Sequence, residues 1–149
     1  METLHIFRGL PGSGKSTRAR KLSAATGALF LETDMFHVKG GKYNFTDSHA
    51  DTIWEILPDL LERIAYLRSD VIYAGVLPTE ESVHRIADPF FDNRYQIIIH
   101  NCKGNYGDTH CVPESVLKSM RACFCPEITV EQLYPDIAMR NVLCKTEIL

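Results

Sequence analysis

The residues best suited to chemistry lie near the N-terminus, in the segment Gly9-Leu10-Pro11-Gly12-Ser13-Gly14-Lys15-Ser16. This segment matches the pattern G-x4-G-K-[ST] at every fixed position, between a buried-strand pattern and an amphipathic-helix pattern. Glycines let the backbone curl so that successive N–H groups point at one anion, and the following helix presents its positive end to it. The alternative interpretation is a glycine-rich turn without a ligand. The predicted nucleotide-binding residues are Gly9, Leu10, Pro11, Gly12, Ser13, Gly14, Lys15, Ser16 and Thr17.

This segment predicts that the chain binds ATP together with Mg²⁺. The Lys15 ammonium group is expected to contact the β- and γ-phosphates as a point charge. The Ser16 hydroxyl is expected to bind the metal ion, because Mg²⁺ prefers oxygen ligands.

A carboxylate that would orient and deprotonate an attacking hydroxyl is predicted at Asp34. This residue follows the second predicted strand, and ligands of open α/β sheets bind at the carboxyl ends of strands. Lys15 and Asp34 are therefore the predicted catalytic residues, with Glu32 and Thr33 as weaker candidates. The alternative is that Asp34 is a loop residue or a helix N-cap.

The loop after Asp34 carries basic and aromatic side chains. His37, Lys39 and Lys42 would contact a phosphate of the acceptor or form a solvated polar loop. Tyr43 and Phe45 would stack on a base, although core packing is the stronger expectation for Phe45.

The rest of the chain alternates strand and helix patterns, which predicts one domain over residues 1–149 with a three-layer α/β fold and a mostly parallel sheet between helices. Strands are predicted at 4–7, 28–31, 71–76 and 95–99, and helices at 14–25, 46–67, 79–91 and 113–121. Residues 35–45 are predicted to be a loop because of Gly40 and Gly41. Pro58 is expected to kink or divide its helix, and the next helix is expected to end before Pro89.

Composition narrows the range of functions. The 149 residues have a net charge of −3, so a nucleic acid would have to bind through a local basic patch. No apolar run is long enough to cross a bilayer, and no signal-peptide pattern is present. Five cysteines, all in the last third of the chain, do not suggest a disulfide framework. We therefore expect a cytoplasmic protein without membrane association.

Residues 4–46 resemble the P-loop kinase family of the bacteriophage polynucleotide kinase domain. The resemblance rests on the phosphate loop, on Thr33-Asp34 at the position of the family's catalytic aspartate, and more weakly on residues 110–120. It implies an ATP-dependent kinase of 5′-hydroxyl groups, with Lys15, Ser16 and Asp34 in the roles given above. It also implies a doubly wound sheet with a lid over the phosphates.

Two departures from this family bear on catalysis. The third strand ends in Tyr73-Ala74-Gly75-Val76-Leu77, without the polar, acid-containing cluster that the family has there. The predicted lid is short and has no arginine, so that Lys103 and His110 are its candidate charged contacts. An arginine would have to come from elsewhere, from Arg8, Arg18, Arg121 or Arg140.

Three functions are compatible with this sequence. The first is a kinase that phosphorylates a nucleic-acid 5′-hydroxyl or a nucleotide-like hydroxyl. The second is a kinase for a small molecule or a modified base on the same scaffold. The third is a nucleotide-binding regulator with little catalysis.

Overall fold

The computed structural model of the protein describes residues 1–107, 112–136 and 145–148. Its centre is a five-stranded sheet in which every neighbouring pair of strands is parallel. Two further strands form a small antiparallel hairpin. The strands are β1 (Thr3–Arg8), β2 (Leu29–Glu32), β3 (Val38–Lys39), β4 (Lys42–Tyr43), β5 (Val71–Gly75), β6 (Gln96–Asn101) and β7 (Lys145–Ile148).

The order of strands across the sheet is β2-β5-β1-β6-β7, so β1 lies at its centre. Five α-helices accompany the sheet: α1 (Lys15–Thr26), α2 (Asp47–Ala65), α3 (Glu80–Asp92), α4 (Glu114–Cys123) and α5 (Val130–Leu133). The carboxyl ends of β1, β2 and β5 meet at one edge, where the phosphate loop and Asp34 follow their strands.

Each face of the sheet has its own apolar cluster, which makes the three layers. On one face Phe7, Ile72 and Ala74 pack against Ala19 and Leu22 of α1. On the other face a larger cluster is formed by the strands with α2, α3 and α5. Burial of an apolar side chain contributes about 1.5–3 kcal/mol. The predicted three-layer fold with a parallel sheet is confirmed.

The expectation that Pro58 kinks or divides its helix fails as far as division is concerned, because α2 runs without a break from Asp47 to Ala65. Proline has no N–H, so it cannot bond the carbonyl oxygen of Trp54 one turn earlier. That oxygen instead accepts a hydrogen bond from Nη1 of Arg85 in α3, at 3.1 Å. A neighbouring helix therefore supplies the donor that the proline removes.

The prediction that the next helix ends before Pro89 was also wrong, because α3 continues to Asp92. Phe90 in its last turn is fully buried, and this packing opposes the local cost of the proline. At the end of the helix the Asn93 side chain donates a hydrogen bond to the Pro89 carbonyl oxygen, at 2.7 Å.

Residues 35–45 were predicted to be a loop, but they contain ordered structure. A 3-10 helix spans Thr33–His37, and β3 and β4 form the hairpin that follows. Gly40 and Gly41 make its two-residue turn with φ of 57° and 77°. Two consecutive positive φ angles are what a type I′ hairpin turn requires, and glycine adopts them without strain.

Candidate functional site

The phosphate loop connects the end of β1 to the start of α1. Gly12 and Gly14 have φ of 79° and 90°, in the left-handed region. The Ser13 amide donates to the Leu10 carbonyl oxygen at 3.0 Å and closes the turn. A Cβ atom at Gly12 would lie 2.5 Å from the Gly107 carbonyl oxygen, so a side chain does not fit there. The loop thus curls tightly at the N-terminus of α1, which is where an anion binds in local structures of this kind.

Residues 102–107, which we call the strap, pack against this loop from outside. The Tyr106 amide donates to the Gly12 carbonyl oxygen at 2.8 Å. A Cβ atom at Gly104 would approach the Ser13 carbonyl oxygen to 2.7 Å, so the contact is tight. The strap thereby supports the conformation of the loop. Lys103, a predicted lid contact, lies 3.8 Å from Glu127, and both side chains are about half exposed.

Ser16 lies next to Glu32, which the sequence predicts only as a weaker candidate for the catalytic carboxylate. Its hydroxyl donates to Oε1 of Glu32 at 2.6 Å. Glu32 ends β2 and is buried, and its other oxygen pairs with Nη2 of Arg20 at 3.2 Å. A hydroxyl that donates its hydrogen bond to a carboxylate keeps its lone pairs free to coordinate a cation. Because hard oxygen donors are the ligands that Mg²⁺ prefers, the Ser16–Glu32 pair fits this ion.

Asp34 is positioned by the 3-10 helix that follows β2. Beside it, the Thr33 hydroxyl is hydrogen-bonded to the Tyr73 hydroxyl of β5 at 2.8 Å. Tyr73 is fully buried, and its burial raises the pKa of its phenol to about 12. This bond fixes the start of the 3-10 helix to the sheet, so Asp34 is held at the edge of the sheet where the phosphate loop begins.

Lys15 and Asp34 line one cavity of about 490 Å³. Its lining combines apolar and aromatic side chains with hydroxyl and carboxylate groups. The polar and aromatic residues among its lining are Lys15, Glu32, Thr33, Asp34, His37, Tyr43, Phe45, Trp54, Thr79, Glu81 and Ser82. The two predicted catalytic residues, which are distant from each other in sequence, therefore lie at the same site.

A protein family described as AAA domain matches residues 4–126, which is most of the chain. The chain belongs to this AAA domain family. No curated protein is significantly similar to it in sequence.

Several solved structures share the fold of this AAA domain. Chaetomium thermophilum Kti12 in complex with ADP-AlF3 has a TM-score of 0.61 and 14% identity, over 98% of this chain and 88% of that one. A sugar kinase from Janibacter sp. has a TM-score of 0.56 and 17% identity, over 100% and 85% of the two chains. A chain of the Pnkp1/Rnl/Hen1 RNA repair complex has a TM-score of 0.55 and 16% identity, over 93% and 43%. These likenesses establish a P-loop kinase-like fold.

His37, a predicted acceptor contact, is part of the AAA domain's cavity wall. It is 3% exposed, and its ring centroid lies 4.9 Å from that of Phe45 and 6.2 Å from that of Tyr43. Its Nδ1 atom is buried without a hydrogen-bond partner among the described residues. Burial lowers the pKa of this imidazole, and the nearby His49 lowers it further.

The other predicted contacts lie elsewhere. Lys39 is exposed on the β3–β4 hairpin and is not among the residues that line the cavity. His110 lies outside the described residues, as does Arg140.

Among the described residues, no arginine lines the cavity. Arg8 is fully buried and donates to the backbone oxygens of Leu77 and Cys125 and to the side chain of Asn101. Arg121 pairs with Glu114 within α4 at 3.3 Å. Arg18 lies beside the phosphate loop, where its Nε would be 3.7 Å from a Cβ atom placed at Gly14. Within the described part of the chain, no helix combines the length and apolar character needed to cross a membrane.

Proposed function

We propose that this protein is an ATP-dependent kinase that transfers the γ-phosphate to a hydroxyl group. The observation that carries this proposal is the shared cavity of Lys15 and Asp34, next to a complete phosphate loop. P-loop kinases accelerate transfer by positioning the reactants and by stabilising charge, and this site has groups for both tasks.

Different residues of the chain bind the phosphates, bind the metal ion and take the proton. The amides of the loop and the Lys15 ammonium hold the phosphates of ATP. Ser16 and Glu32 provide oxygens for Mg²⁺, which when bound neutralises charge on the phosphate oxygens. Asp34 orients the acceptor hydroxyl and takes its proton, while the oxygen of that hydroxyl forms a bond to the γ-phosphorus. The bond from that phosphorus to the β-phosphate oxygen breaks, and ADP leaves.

Two classes of acceptor follow from the sequence. The resemblance to polynucleotide kinases makes a nucleic-acid 5′-hydroxyl the first candidate, and a chain of an RNA repair complex is among the proteins with the same fold. A small-molecule hydroxyl is the second candidate, and the sugar kinase from Janibacter sp. has the same fold too.

A nucleotide-binding regulator with little catalysis is the alternative from another class. It is favoured by the lack of an arginine among the described residues of the cavity wall. In phosphoryl transfer such an arginine is worth about 10³–10⁵ in rate.

The test follows labelled phosphate from γ-labelled ATP and Mg²⁺ to a panel of 5′-hydroxyl oligonucleotides, nucleosides and small alcohols. The Asp34→Asn variant should lose about 10²–10⁴ in transfer rate while its affinity for ATP, measured by calorimetry, is nearly unchanged. The matched control is Asp51→Asn on the exposed side of α2, which should retain full activity. Activity that survives in Asp34→Asn would remove Asp34 from its role.

The Lys15→Ala variant should bind ATP at least about tenfold more weakly, because a charge-assisted contact to phosphate is lost. Lys21→Ala, on the exposed surface of α1, is its control. Unchanged ATP affinity in Lys15→Ala would contradict the phosphate site itself. ATP binding in the wild type without labelled product on any acceptor would support the regulator.

A further inference from the structure

Four aromatic rings form part of the lining of the cavity beside Asp34, and we call them the aromatic wall. They are the rings of Tyr43, Phe45 and Trp54 and the imidazole of His37. Phe45 is 52% exposed and Tyr43 is 49% exposed, although both rings are within contact range of His37. Exposed aromatic faces next to a cavity suit a flat ring, since stacked or edge-on ring pairs add about 0.5–1.5 kcal/mol to the burial of their area.

The charges of the lining residues are mostly negative. Glu32, Asp34 and Glu81 provide three carboxylates. Among the described residues of the wall, the only groups that can be positive are Lys15 and His37. Lys15 belongs to the phosphate loop, and burial disfavours the charged form of His37. An acceptor with its own phosphate would find no further cation on this wall.

The N-terminus of α3 also borders the cavity, but its residues make it unfavourable for an anion. Thr79 and Ser82 form a capping box, in which each side chain accepts a hydrogen bond from the other residue's amide. Glu80 and Glu81 occupy the first turn and add negative charge. Two of the amides at this helix end, those of Thr79 and Ser82, are thus already bonded, and the two carboxylates reduce the positive electrostatic field there.

The lysines of the hairpin do not supply the missing charge to the wall. Lys39 and Lys42 are directly opposite each other, and Val38 and Tyr43 form the neighbouring pair. Successive residues of a strand point to opposite faces, so both lysines point away from the face on which Tyr43 meets the cavity. Neither lysine lines it.

The size of the cavity suits one small molecule. Its volume of about 490 Å³ lies within the range of about 300–1,000 Å³ that is usual for sites of small ligands. We propose that the phosphoryl acceptor is an uncharged hydroxyl compound with a flat ring, of the size of a single nucleoside, that stacks in the aromatic wall with its hydroxyl at Asp34. This inference rests on the proposed function and narrows its acceptor to the small-molecule class.

The single tryptophan of the chain provides a measurement that needs no catalysis. Trp54 lines the cavity, so an acceptor that enters it should change the fluorescence of this residue. The full chain is titrated, in the presence of ADP and Mg²⁺, with adenosine, adenosine 3′-phosphate, a 5′-hydroxyl oligonucleotide and a hexose. Adenosine should bind at least about tenfold more tightly than each of the other three, corresponding to about 1.4 kcal/mol.

Three results would overturn the inference. One is equal or tighter binding of the 3′-phosphate or the oligonucleotide, which would mean that an anion is accommodated. Another is equal or tighter binding of the hexose, which would mean that a flat ring is not selected. The third is the absence of any fluorescence response to adenosine and to other uncharged nucleosides at millimolar concentration while ADP binds.

Variants test the wall directly. Phe45→Ala should weaken adenosine binding about tenfold, whereas Tyr66→Ala, which removes an exposed ring at the end of α2 outside the cavity, should not change it. The double variant Lys39→Gln/Lys42→Gln should bind adenosine and the oligonucleotide as the wild type does. Loss of oligonucleotide binding in this variant would support a polynucleotide acceptor instead.

The failure of this inference and the failure of the kinase proposal are distinguishable. If adenosine binds as expected but no labelled phosphate reaches any acceptor, the aromatic site stands and the kinase proposal fails. If the oligonucleotide is labelled and adenosine is neither bound nor labelled, the kinase proposal stands and the inference fails.

Discussion

At the scale of residues, the hydrogen bond between Ser16 and Glu32 bears most directly on how the site would bind Mg²⁺. The resemblance to polynucleotide kinases implies an acid at the end of the strand that is β5 here, where this chain has Ala74 and Gly75. Glu32 is the register partner of Ala74 on the adjacent strand. Its carboxylate therefore stands at the same level of the sheet, one strand further out, and reaches the Ser16 hydroxyl at 2.6 Å. We expect it to take over the role of the missing acid.

The Glu32→Gln variant tests this role. The amide keeps the shape of the side chain but removes its charge, so the ATP complex should need about tenfold more Mg²⁺ for half-saturation. ATP affinity in the absence of metal should not fall. Both quantities are measured by calorimetry, with Glu55→Gln on the exposed side of α2 as the control. An unchanged Mg²⁺ requirement would show that Glu32 only anchors Ser16.

His37 predicts a pH dependence of stability. The pKa of this imidazole is lowered in the folded protein because the ring is buried, whereas in the unfolded chain the pKa is about 6.5. As the pH falls below that value, the unfolded state takes up the proton first, so the free energy of unfolding decreases until the folded pKa is passed. His37→Gln should therefore lose less stability than the wild type between about pH 7 and about pH 5. Urea unfolding at several pH values measures this, and equal slopes for the two proteins would refute it.

The contact between α2 and α3 shows, at the scale of elements, what local sequence could predict and what it could not. The phosphate loop and Asp34 were predictable because each is recognised from a few consecutive residues next to a strand. The unbroken helix at Pro58 was not predictable, because the hydrogen bond that the proline removes is replaced by one from Arg85, in another helix. Glu32 was ranked low for a similar reason, since its significance depends on contact with Ser16 across two elements. The aromatic wall combines the hairpin with α2, and no local pattern indicates that arrangement.

A double-mutant cycle tests the compensation at Pro58. Arg85→Met should destabilise the wild type by about 1 kcal/mol, because the Trp54 carbonyl oxygen loses its donor. In the Pro58→Ala background the restored backbone N–H can bond that oxygen, so the same change should cost less. The free energies of unfolding in urea of the four proteins should give a coupling of about 0.5–1 kcal/mol. Strictly additive effects would mean that Arg85 does not replace the missing bond.

At the scale of the whole molecule, Arg8, the last residue of the central strand, connects several elements of the fold. Its guanidinium donates to the Leu77 carbonyl oxygen at 3.0 Å, to Oδ1 of Asn101 at 2.7 Å and to the Cys125 carbonyl oxygen at 2.6 Å. Asn101 in turn bonds the backbone of Ile128 with both its side-chain oxygen and nitrogen. These contacts join the ends of β1, β5 and β6 to the segment after α4, immediately before the phosphate loop begins.

Burial lowers the pKa of Arg8 to about 10, so its side chain is still protonated at neutral pH. Arg8→Met would leave buried acceptors without a donor, and we expect it to lower the free energy of unfolding by about 2–4 kcal/mol. Arg8→Lys should cost less than this, because an ammonium group can still donate to some of the three acceptors, although it cannot reproduce the planar fork. Urea unfolding measures both variants.

The Arg8→Lys variant separates a structural arginine from a catalytic one. If Arg8 clamped the transferring phosphoryl group, Arg8→Lys would lower kcat by about 10³–10⁵ without a comparable loss of stability. Its three hydrogen bonds to the surrounding scaffold, and its place outside the cavity wall, predict the opposite. Stability should fall, while kcat per folded molecule, measured well below the unfolding temperature, changes by less than about tenfold. A stable Arg8→Lys protein with a collapsed kcat would place the missing clamp at the end of the central strand.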